Sequence, residues 1–524
     1  MNKVIFFRLF AILMFLCTNT LAENRDIVVS YVKEKGCFTE MPLMCVGAGR
    51  ANEGLRADWQ QHLCEIKRMC DFKYIRFHGL LHDDMGVCMY DGMYNEKKIL
   101  RYNFQYIDKL YDFLLSIGIR PFVELSFMPN ALKSGEETVF WWKGNITPPK
   151  EYDEFGKLIT ALIKHWEERY GMEEIQKWYF EVWNEPDLSS FWAGTKDEYY
   201  MLYKTTVNAI KKVNPTLKVG GPASAKTDYI KPFIEYCKKE NLPLDFISFH
   251  RYGVKGYFDE FGIKGLKMNG NADNIANNVT DVLNNIVYPL LGENIEVHVT
   301  EWNTSYSSRD PVHDTYQNAT YLLNTLKKVD ARINSMSYWT FTDVFEEISP
   351  ALTPFHGGFG LLNLQGIRKP SFYVYNFINR LGKIELINQD EQSWACKDKD
   401  GNCQILLWNC KLLDQGGNSN QKFYRRNLAP NDKHTVNLQI DDLPKGEYEL
   451  RITRVGYKCN DAYTLYYDLG SPEQLSLQQE HFIKDKVNGN PEIIEFFKIN
   501  NSGIFKYKLN VRENDIYFIE LLRI

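Results

Sequence analysis

The sequence predicts a (β/α)8 TIM barrel followed by an accessory C-terminal β-sandwich. Two patterns indicate this α/β fold class. Between about residues 40 and 380, short apolar runs alternate with amphipathic helical runs, as parallel strands with crossover helices do. After about residue 382, short strands of alternating polarity are separated by turn residues. No GxGxxG motif follows the first strand, which argues against an open dinucleotide-binding sheet.

Eight strand-and-helix units fill the first region, which is the number that closes a barrel. The predicted barrel strands are residues 43–48, 72–77, 120–127, 178–184, 217–221, 246–250, 296–300 and 335–341. The helical stretches include residues 102–117, 151–170, 196–213, 228–239, 271–288 and 313–328. The predicted sandwich strands include residues 404–408, 434–440, 447–453, 505–509 and 515–522.

The chain divides into four predicted segments. Residues 1–22 have the basic, apolar and small-residue pattern of a secretory signal, so we expect an exported protein, periplasmic or extracellular. Cys17 leaves a lipoprotein as the less favoured alternative. Residues 23–39 form an N-terminal segment that is a candidate edge strand of the sandwich. The barrel is expected over residues 40–381 and the sandwich over residues 382–524.

The charge and composition exclude several classes of partner. The chain has 62 Lys and Arg against 67 Asp and Glu, so no basic field exists to attract nucleic acid. After the signal, no apolar run approaches the ~20 residues that span a bilayer. Aromatic residues make up 14% of the chain and suit stacking on sugar rings. The sequence leaves the oligomeric state open, including a homo-oligomer.

The cysteines and histidines do not form a recognisable metal motif. No CxxC pair or HExxH motif occurs, so we expect neither a metal nor a cofactor. Cys396 and Cys403 flank a turn at a spacing that suits a hairpin disulfide. Free buried thiols are an equally supported alternative, and the disulfide pairing stays open.

Two glutamates close predicted barrel strands at the end where TIM barrels carry their chemistry. Glu185 follows the fourth strand and Glu301 follows the seventh. These strands lie on opposite sides of an eight-strand ring, so the carboxylates can face each other across its mouth. Glycoside hydrolysis with retention needs such a pair about 5 to 5.5 Å apart. We therefore expect Glu185 to be the acid/base and Glu301 the nucleophile.

Residues beside the two glutamates suit a sugar site. Asn184 can hydrogen-bond a sugar 2-hydroxyl group. Trp183, Trp302 and Trp339 can supply ring faces or exclude water. These residues predict an oligosaccharide or glycoside as the substrate.

Long blocks of this region resemble glycoside hydrolase family 39, which contains β-xylosidases and α-L-iduronidases. The blocks occur in family order and cover most of residues 40–380. They are YIRFHGLL at 74–81, IRPFVE at 119–124, FMP at 127–129, FEVWNEP at 180–186, TEWNTSY at 300–306, PVHDT at 311–315, YWTFTDVFEE at 338–347 and FHGGFGL at 355–361.

The resemblance implies a retaining hydrolase with its acid/base on strand four and its nucleophile on strand seven. It looks closest to the bacterial β-xylosidase branch, which implies an exo-acting enzyme that releases xylose from short β-xylosides. Carried over residue by residue, the family's glycone contacts fall on His78, Asn184, His250, Tyr252, Glu346 and Glu347. The sequence departs from the branch at Asp187, Trp302, Phe249 and Arg251, which affects the sugar preference.

Two alternatives remain at this stage. The same mechanism can act on another glycone, such as an α-L-iduronide, an α-L-arabinoside or a β-galactoside. An iduronide needs a basic group for its carboxylate, and Arg251 is the nearest candidate in the sequence. The other alternative is a non-catalytic carbohydrate-binding barrel, against which the presence of both glutamates argues.

Overall fold

Eight parallel strands close into a barrel in the computed structural model, which describes residues 25–94, 97–431 and 433–524. The strands follow one another around the ring in chain order, which confirms the predicted TIM barrel. They are β1 Cys45–Arg50, β2 Tyr74–His78, β3 Arg120–Glu124, β4 Tyr179–Glu181, β5 Lys218–Ser224, β6 Phe246–Tyr252, β7 Glu296–Asn303 and β8 Ser335–Tyr338. The predicted signal, residues 1–22, lies outside the described residues.

Helices on the outside of the barrel cover its strands. They are Ala57–Cys70, Gln105–Ser116, Tyr152–Tyr170, Lys196–Val213, Ile230–Lys239, Asn274–Val282, Tyr316–Val329 and Pro370–Arg380. Local sequence sets their ends: Thr195 and Glu198, for example, form a capping box at the start of Lys196–Val213. In the described part of the chain, no helix combines the length and the apolar character that crossing a membrane requires.

The helix predicted over residues 271–288 is interrupted. The structure has an α-helix over Asn274–Val282, a π-helical turn over Leu283–Val287 and a short helix over Tyr288–Leu291. Pro289 explains the interruption, because proline has no N–H to donate to the preceding turn and its ring crowds that turn.

Two sheets built mainly from residues after the barrel, each with one strand from before it, confirm the predicted sandwich. One has seven strands in the spatial order Glu34–Cys37, Ile384–Leu386, Ser393–Lys397, Cys403–Trp408, Ile516–Arg523, Gly446–Val455 and Ile493–Ile499. The other has the order Arg25–Ser30, Lys433–Asp441 and Phe505–Arg512. Side chains of both sheets share a buried apolar core. Arg25–Ser30 lies at an edge and pairs in parallel with Lys433–Asp441.

The barrel and the sandwich share one continuous apolar contact. Helix Pro370–Arg380 lies on the seven-stranded sheet, where Phe377 stacks on Phe518 with ring centroids 4.9 Å apart. Arg380 extends this contact with a hydrogen bond of 2.6 Å to Glu520. The sandwich therefore packs against the last helix of the barrel.

The structure does not contain the hairpin disulfide. Cys396 and Cys403 are both free and buried. Cys396 pairs with Gln404 and Cys403 with Lys397, so their side chains point to opposite faces of the sheet. Cys396 packs in the core shared with the barrel, whereas Cys403 packs between the sheets. The free thiols lie in two different cores.

A buried ion cluster anchors the long connection between β8 and Pro370–Arg380. The Lys369 ammonium lies 2.6 Å from a carboxylate oxygen of Asp314 and 2.6 Å from one of Asp343. Lys369 also donates to the Gly358 carbonyl at 2.9 Å. The side chains of all three ionised residues are inaccessible to solvent. Without the cation, two carboxylates would be buried without a counter-ion.

We therefore expect Lys369→Met to lower the free energy of unfolding by about 3 to 5 kcal/mol, as measured by urea denaturation. Lys399→Met, at an exposed turn, is the matched control and should change stability by less than about 0.5 kcal/mol. Equal stabilities of the two variants would contradict an anchoring role for the cluster.

Candidate active site

The two predicted glutamates meet at the mouth of the barrel. Strand β4 ends at Glu181, earlier than predicted, because Trp183 and Glu185 adopt left-handed backbone angles with φ of 73° and 43°. The chain then turns so that the Glu185 N–H donates to the Ala223 carbonyl at 3.0 Å. Glu301 lies within β7. Oxygen atoms of the two carboxylates lie within 4.8 Å of each other.

A buried guanidinium holds one of the two carboxylates. Arg76, on β2, is fully inaccessible to solvent and donates to Glu301 at 2.8 Å. It also donates to Glu181 at 2.6 Å and forms an ion pair of 2.8 Å with Glu124. Four strands of the barrel therefore fix the position of Glu301. Glu185 makes no ion pair with Arg76 among the described contacts.

The environments of the two carboxylates differ in the direction that acid/base chemistry needs. Burial raises the pKa of Glu185 well above its usual range, and the charge of Glu301 raises it further. Burial also raises the pKa of Glu301, but Arg76, His78 and the Tyr252 hydroxyl all act to lower it. In this coupled pair the proton therefore favours Glu185, and Glu301 is the carboxyl group that ionises first.

Strand β6 supplies a partner to each carboxylate. His250 Nδ1 lies 2.8 Å from Glu185 Oε1. The Tyr252 hydroxyl donates to Glu301 Oε2 at 2.8 Å. Burial lowers the pKa of His250 well below its usual range, and the nearby Arg76 and His78 lower it further, so the imidazole is neutral. Its Nε2 is buried and has no hydrogen-bond partner within the described residues, which leaves it available to a ligand.

A cavity of about 910 Å³ opens in front of the carboxylates. This volume is near the upper end of the roughly 300 to 1,000 Å³ that ligand pockets occupy. The predicted site residues that line it are His78, Glu185, His250, Tyr252, Glu301, Trp339 and Glu347. One wall is formed by His78 and Trp339, whose rings lie 4.7 Å apart. Burial raises the pKa of Glu347 well above its usual range, so its carboxyl group can donate to a sugar hydroxyl.

Asn184 and Glu346 do not line the cavity. Asn184 accepts from Arg76 at 2.9 Å, and its Nδ2 is buried without a hydrogen-bond partner in the described part of the protein. This amide is thus positioned beside Glu301 with a donor to spare. Glu346 is instead bound by Arg56 at 2.8 Å and by Arg50 at 3.2 Å. These two ion pairs bind both oxygens of the Glu346 carboxylate, and its contact with the glycone stays a prediction.

Two of the three predicted tryptophans belong to the core. Trp183 and Trp302 are fully buried and donate to backbone carbonyls of Phe191 and Met336. Trp339 is the member of this trio that lines the cavity. Both tryptophans that lie close in sequence to the two glutamates therefore pack in the core and do not line the cavity.

Sequence reasoning missed the charged residues beneath the site. Arg76, Glu124 and Glu181 each lie within an apolar barrel strand and are buried. A charged residue inside a buried strand requires a partner of opposite charge. Three such residues on neighbouring strands could therefore have predicted the ion cluster from the sequence. One set of metal-ligating atoms occurs in the described residues, from Glu185, His250 and Glu301. The set coincides with the carboxylate pair, and Arg76 and Tyr252 already bind the Glu301 oxygens.

Comparison with known proteins identifies the family. The model of "Glycosyl hydrolases family 39" matches residues 26–498. A β-xylosidase of Caldicellulosiruptor saccharolyticus is 39% identical over 464 residues, which are 87% of this chain and 91% of that protein. A β-xylosidase of Geobacillus stearothermophilus is 42% identical over 380 residues, which are 71% of this chain and 74% of that protein.

The solved structures agree with the sequence comparisons. The crystal structure of a monomeric β-xylosidase from Caulobacter crescentus CB15 superposes with a TM-score of 0.91 at 37% identity. The alignment covers 95% of this chain and 100% of that one. The protein is thus a glycosidase that hydrolyses O-glycosyl bonds, and it belongs to glycosyl hydrolases family 39.

Proposed function

We propose that the protein is a retaining, exo-acting β-xylosidase that releases xylose from short β-xylosides and xylo-oligosaccharides. The observation that carries this proposal is the separation of the two carboxylates, whose oxygen atoms lie within 4.8 Å. Inverting enzymes need about 6.5 to 9.5 Å between the carboxyl groups to admit a water molecule. The names of two relatives at 39% and 42% identity, both β-xylosidases, support xylose as the glycone.

In the proposed mechanism, Glu301 attacks the anomeric carbon as Glu185 gives its proton to the leaving oxygen. The glycosidic bond breaks, and an ester forms between the sugar and Glu301. Glu185, now ionised, then takes a proton from water, which attacks the same carbon and displaces Glu301. The two inversions restore the original configuration. Arg76 and Tyr252 each bind one oxygen of Glu301 and so orient it for attack.

The proposed glycone site lies between Glu301 and the wall of His78, Trp339 and Glu347. In this proposal the Asn184 amide, which Arg76 holds and whose Nδ2 has no hydrogen-bond partner among the described residues, donates to the 2-hydroxyl, a contact that strengthens as the transition state forms. His78 is held by Glu124 at 2.7 Å, which fixes its ring against Trp339. We also propose that the enzyme is exported, on the basis of the signal-like residues 1–22.

The acid role of Glu185 predicts a dependence on the leaving group. Glu185→Ala should lower kcat/KM for xylobiose by about 10²- to 10⁴-fold, because the sugar leaving group needs a proton. The same variant should keep most of its glycosylation rate on 2,4-dinitrophenyl β-xyloside, whose leaving group does not. Glu168→Ala, at an exposed carboxylate outside the cavity, is the control. Equal losses on both substrates would refute the assignment of Glu185.

The ionisation states predict a bell-shaped pH profile of kcat/KM. Activity falls as the pH drops through the pKa of Glu301, because a protonated carboxyl group cannot attack. It falls again as the pH rises through the raised pKa of Glu185, because the acid has lost its proton. On an activated aryl β-xyloside, Glu185→Gln should keep the acidic limb and lose the basic one. If the basic limb persists in this variant, the loss of activity at high pH is caused by the titration of a group other than Glu185.

The choice of xylose predicts an order of rates on chromogenic glycosides. The β-xyloside should be hydrolysed faster than the α-arabinoside, β-galactoside, β-glucoside and α-iduronide, as measured by initial rates. Faster hydrolysis of another glycoside in the panel would refute xylose as the preferred glycone and indicate that other sugar. The roles proposed for Glu185 and Glu301 would be unaffected.

A further inference from the structure

Arg251 is a buried cation that lines the active-site cavity. Its side chain is 7% exposed. One terminal nitrogen donates to the His250 and Ala225 carbonyls at 2.5 and 3.3 Å, and the other donates to the Thr227 hydroxyl at 2.7 Å. The Phe249 ring covers the group at 4.6 Å, and Nε is buried without a partner in the described residues.

No carboxylate within the described part of the chain forms an ion pair with Arg251. Asp187 is nearby, but its two oxygens accept from the N–H groups of Ala225 and Lys226 at 3.0 and 2.7 Å. Burial lowers the pKa of Arg251 to about 10, so it is still a cation at neutral pH. Asp187 favours the charged form of Arg251 only from beyond ion-pair distance, and a buried cation without a directly bound counter-ion is costly to the fold, which points to a ligand that supplies one.

The position of Arg251 assigns that ligand to the leaving-group side. Lys226 and Thr227 follow β5, and Arg251 lies on β6, whereas His78 lies on β2, across the ring from β6, and packs against Trp339. Strand β5 is next to β4, which is followed by the acid Glu185. A general acid faces the leaving group, so this side of the cavity receives it.

Lys226 adds a second cation at the same edge. It is exposed, lines the cavity and makes no ion pair among the described residues. The Thr227 hydroxyl, which accepts from Arg251, has its own proton free to donate. A carboxylate placed here meets two cations and a hydroxyl group, which is the arrangement that charge-assisted hydrogen bonds require.

We propose that Arg251, Lys226 and Thr227 form a carboxylate-binding subsite for acidic leaving groups. The preferred substrates are then xylosyl oligosaccharides that carry an aldonic or uronic acid on the leaving-group part. The inference rests on the proposed xylosidase function. A neutral sugar needs only hydroxyl partners, and leaves the buried guanidinium without a counter-ion.

The test compares substrates that differ in one charge. Xylobionate and xylobiitol share an open-chain leaving group that ends in a carboxylate or in a hydroxymethyl group. Xylotriose with a glucuronosyl branch on its reducing-end residue is compared with unbranched xylotriose. At low ionic strength, the wild type should show a higher kcat/KM on at least one acidic substrate than on its neutral partner.

Arg251→Gln should lower kcat/KM on the preferred acidic substrate at least tenfold, and on its neutral partner less than threefold. Lys226→Gln, at an exposed position that tolerates change, should lower the same preference about threefold. Lys255→Gln, at an exposed lysine outside the cavity, is the matched control for general charge attraction. If Arg251→Gln does not fold, Lys226→Gln decides the result.

Two outcomes would overturn the subsite: no preference of the wild type for either acidic substrate, or a preference that survives both substitutions. Activity on xylobiitol and unbranched xylotriose tests the proposed function separately. If neither is hydrolysed, binding of xylonate to the wild type and to Lys226→Gln, measured by calorimetry, still tests the subsite. Absent or equal binding would then refute it.

Discussion

The site depends on one buried guanidinium that is shared by several acceptors. Arg76 has no contact with solvent, and Glu124, Glu181, Glu301 and Asn184 all bind it. A single cation cannot neutralise three carboxylates, so the cluster tolerates burial only with its further hydrogen bonds. Thr300, for example, donates to Glu181 at 2.9 Å. The floor of the barrel mouth is therefore a rigid network whose members come from β2, β3 and β4 on one side of the ring and from β7 on the other.

This network produces the asymmetry between two chemically identical side chains. Glu301 lies inside the network and shares its cation, whereas Glu185 lies on a turn after β4 and contacts a neutral histidine. Burial acts on both, but only Glu301 has a direct compensating charge. Two carboxylates in one cavity can thus take the separate roles of nucleophile and acid. Arg251 shows the opposite condition, since it is a buried cation that no carboxylate of the described residues binds as an ion pair.

The sequence predicted those features that follow from local pattern. All eight barrel strands were predicted from apolar runs that end at polar residues. Glu185 and Glu301 were recognisable because each follows or ends such a run. Features that depend on long-range contacts were not predictable in this way. The ion pairs of Glu346 with Arg50 and Arg56, the burial of Trp183 and Trp302, and the bond from Glu185 N–H to the Ala223 carbonyl in the turn after β4 all depend on partners distant in the chain.

The most direct test of this account is the site of the covalent intermediate. The enzyme should be incubated with an activated 2-deoxy-2-fluoro-β-xyloside, whose fluorine slows the breakdown of the ester, and then digested and analysed by mass spectrometry. We predict one fluoroxylosyl group per chain, attached to Glu301, with loss of activity in proportion to labelling. A label on Glu185, or continued turnover without any label, would contradict the proposal that Arg76 holds Glu301 as the ionised nucleophile.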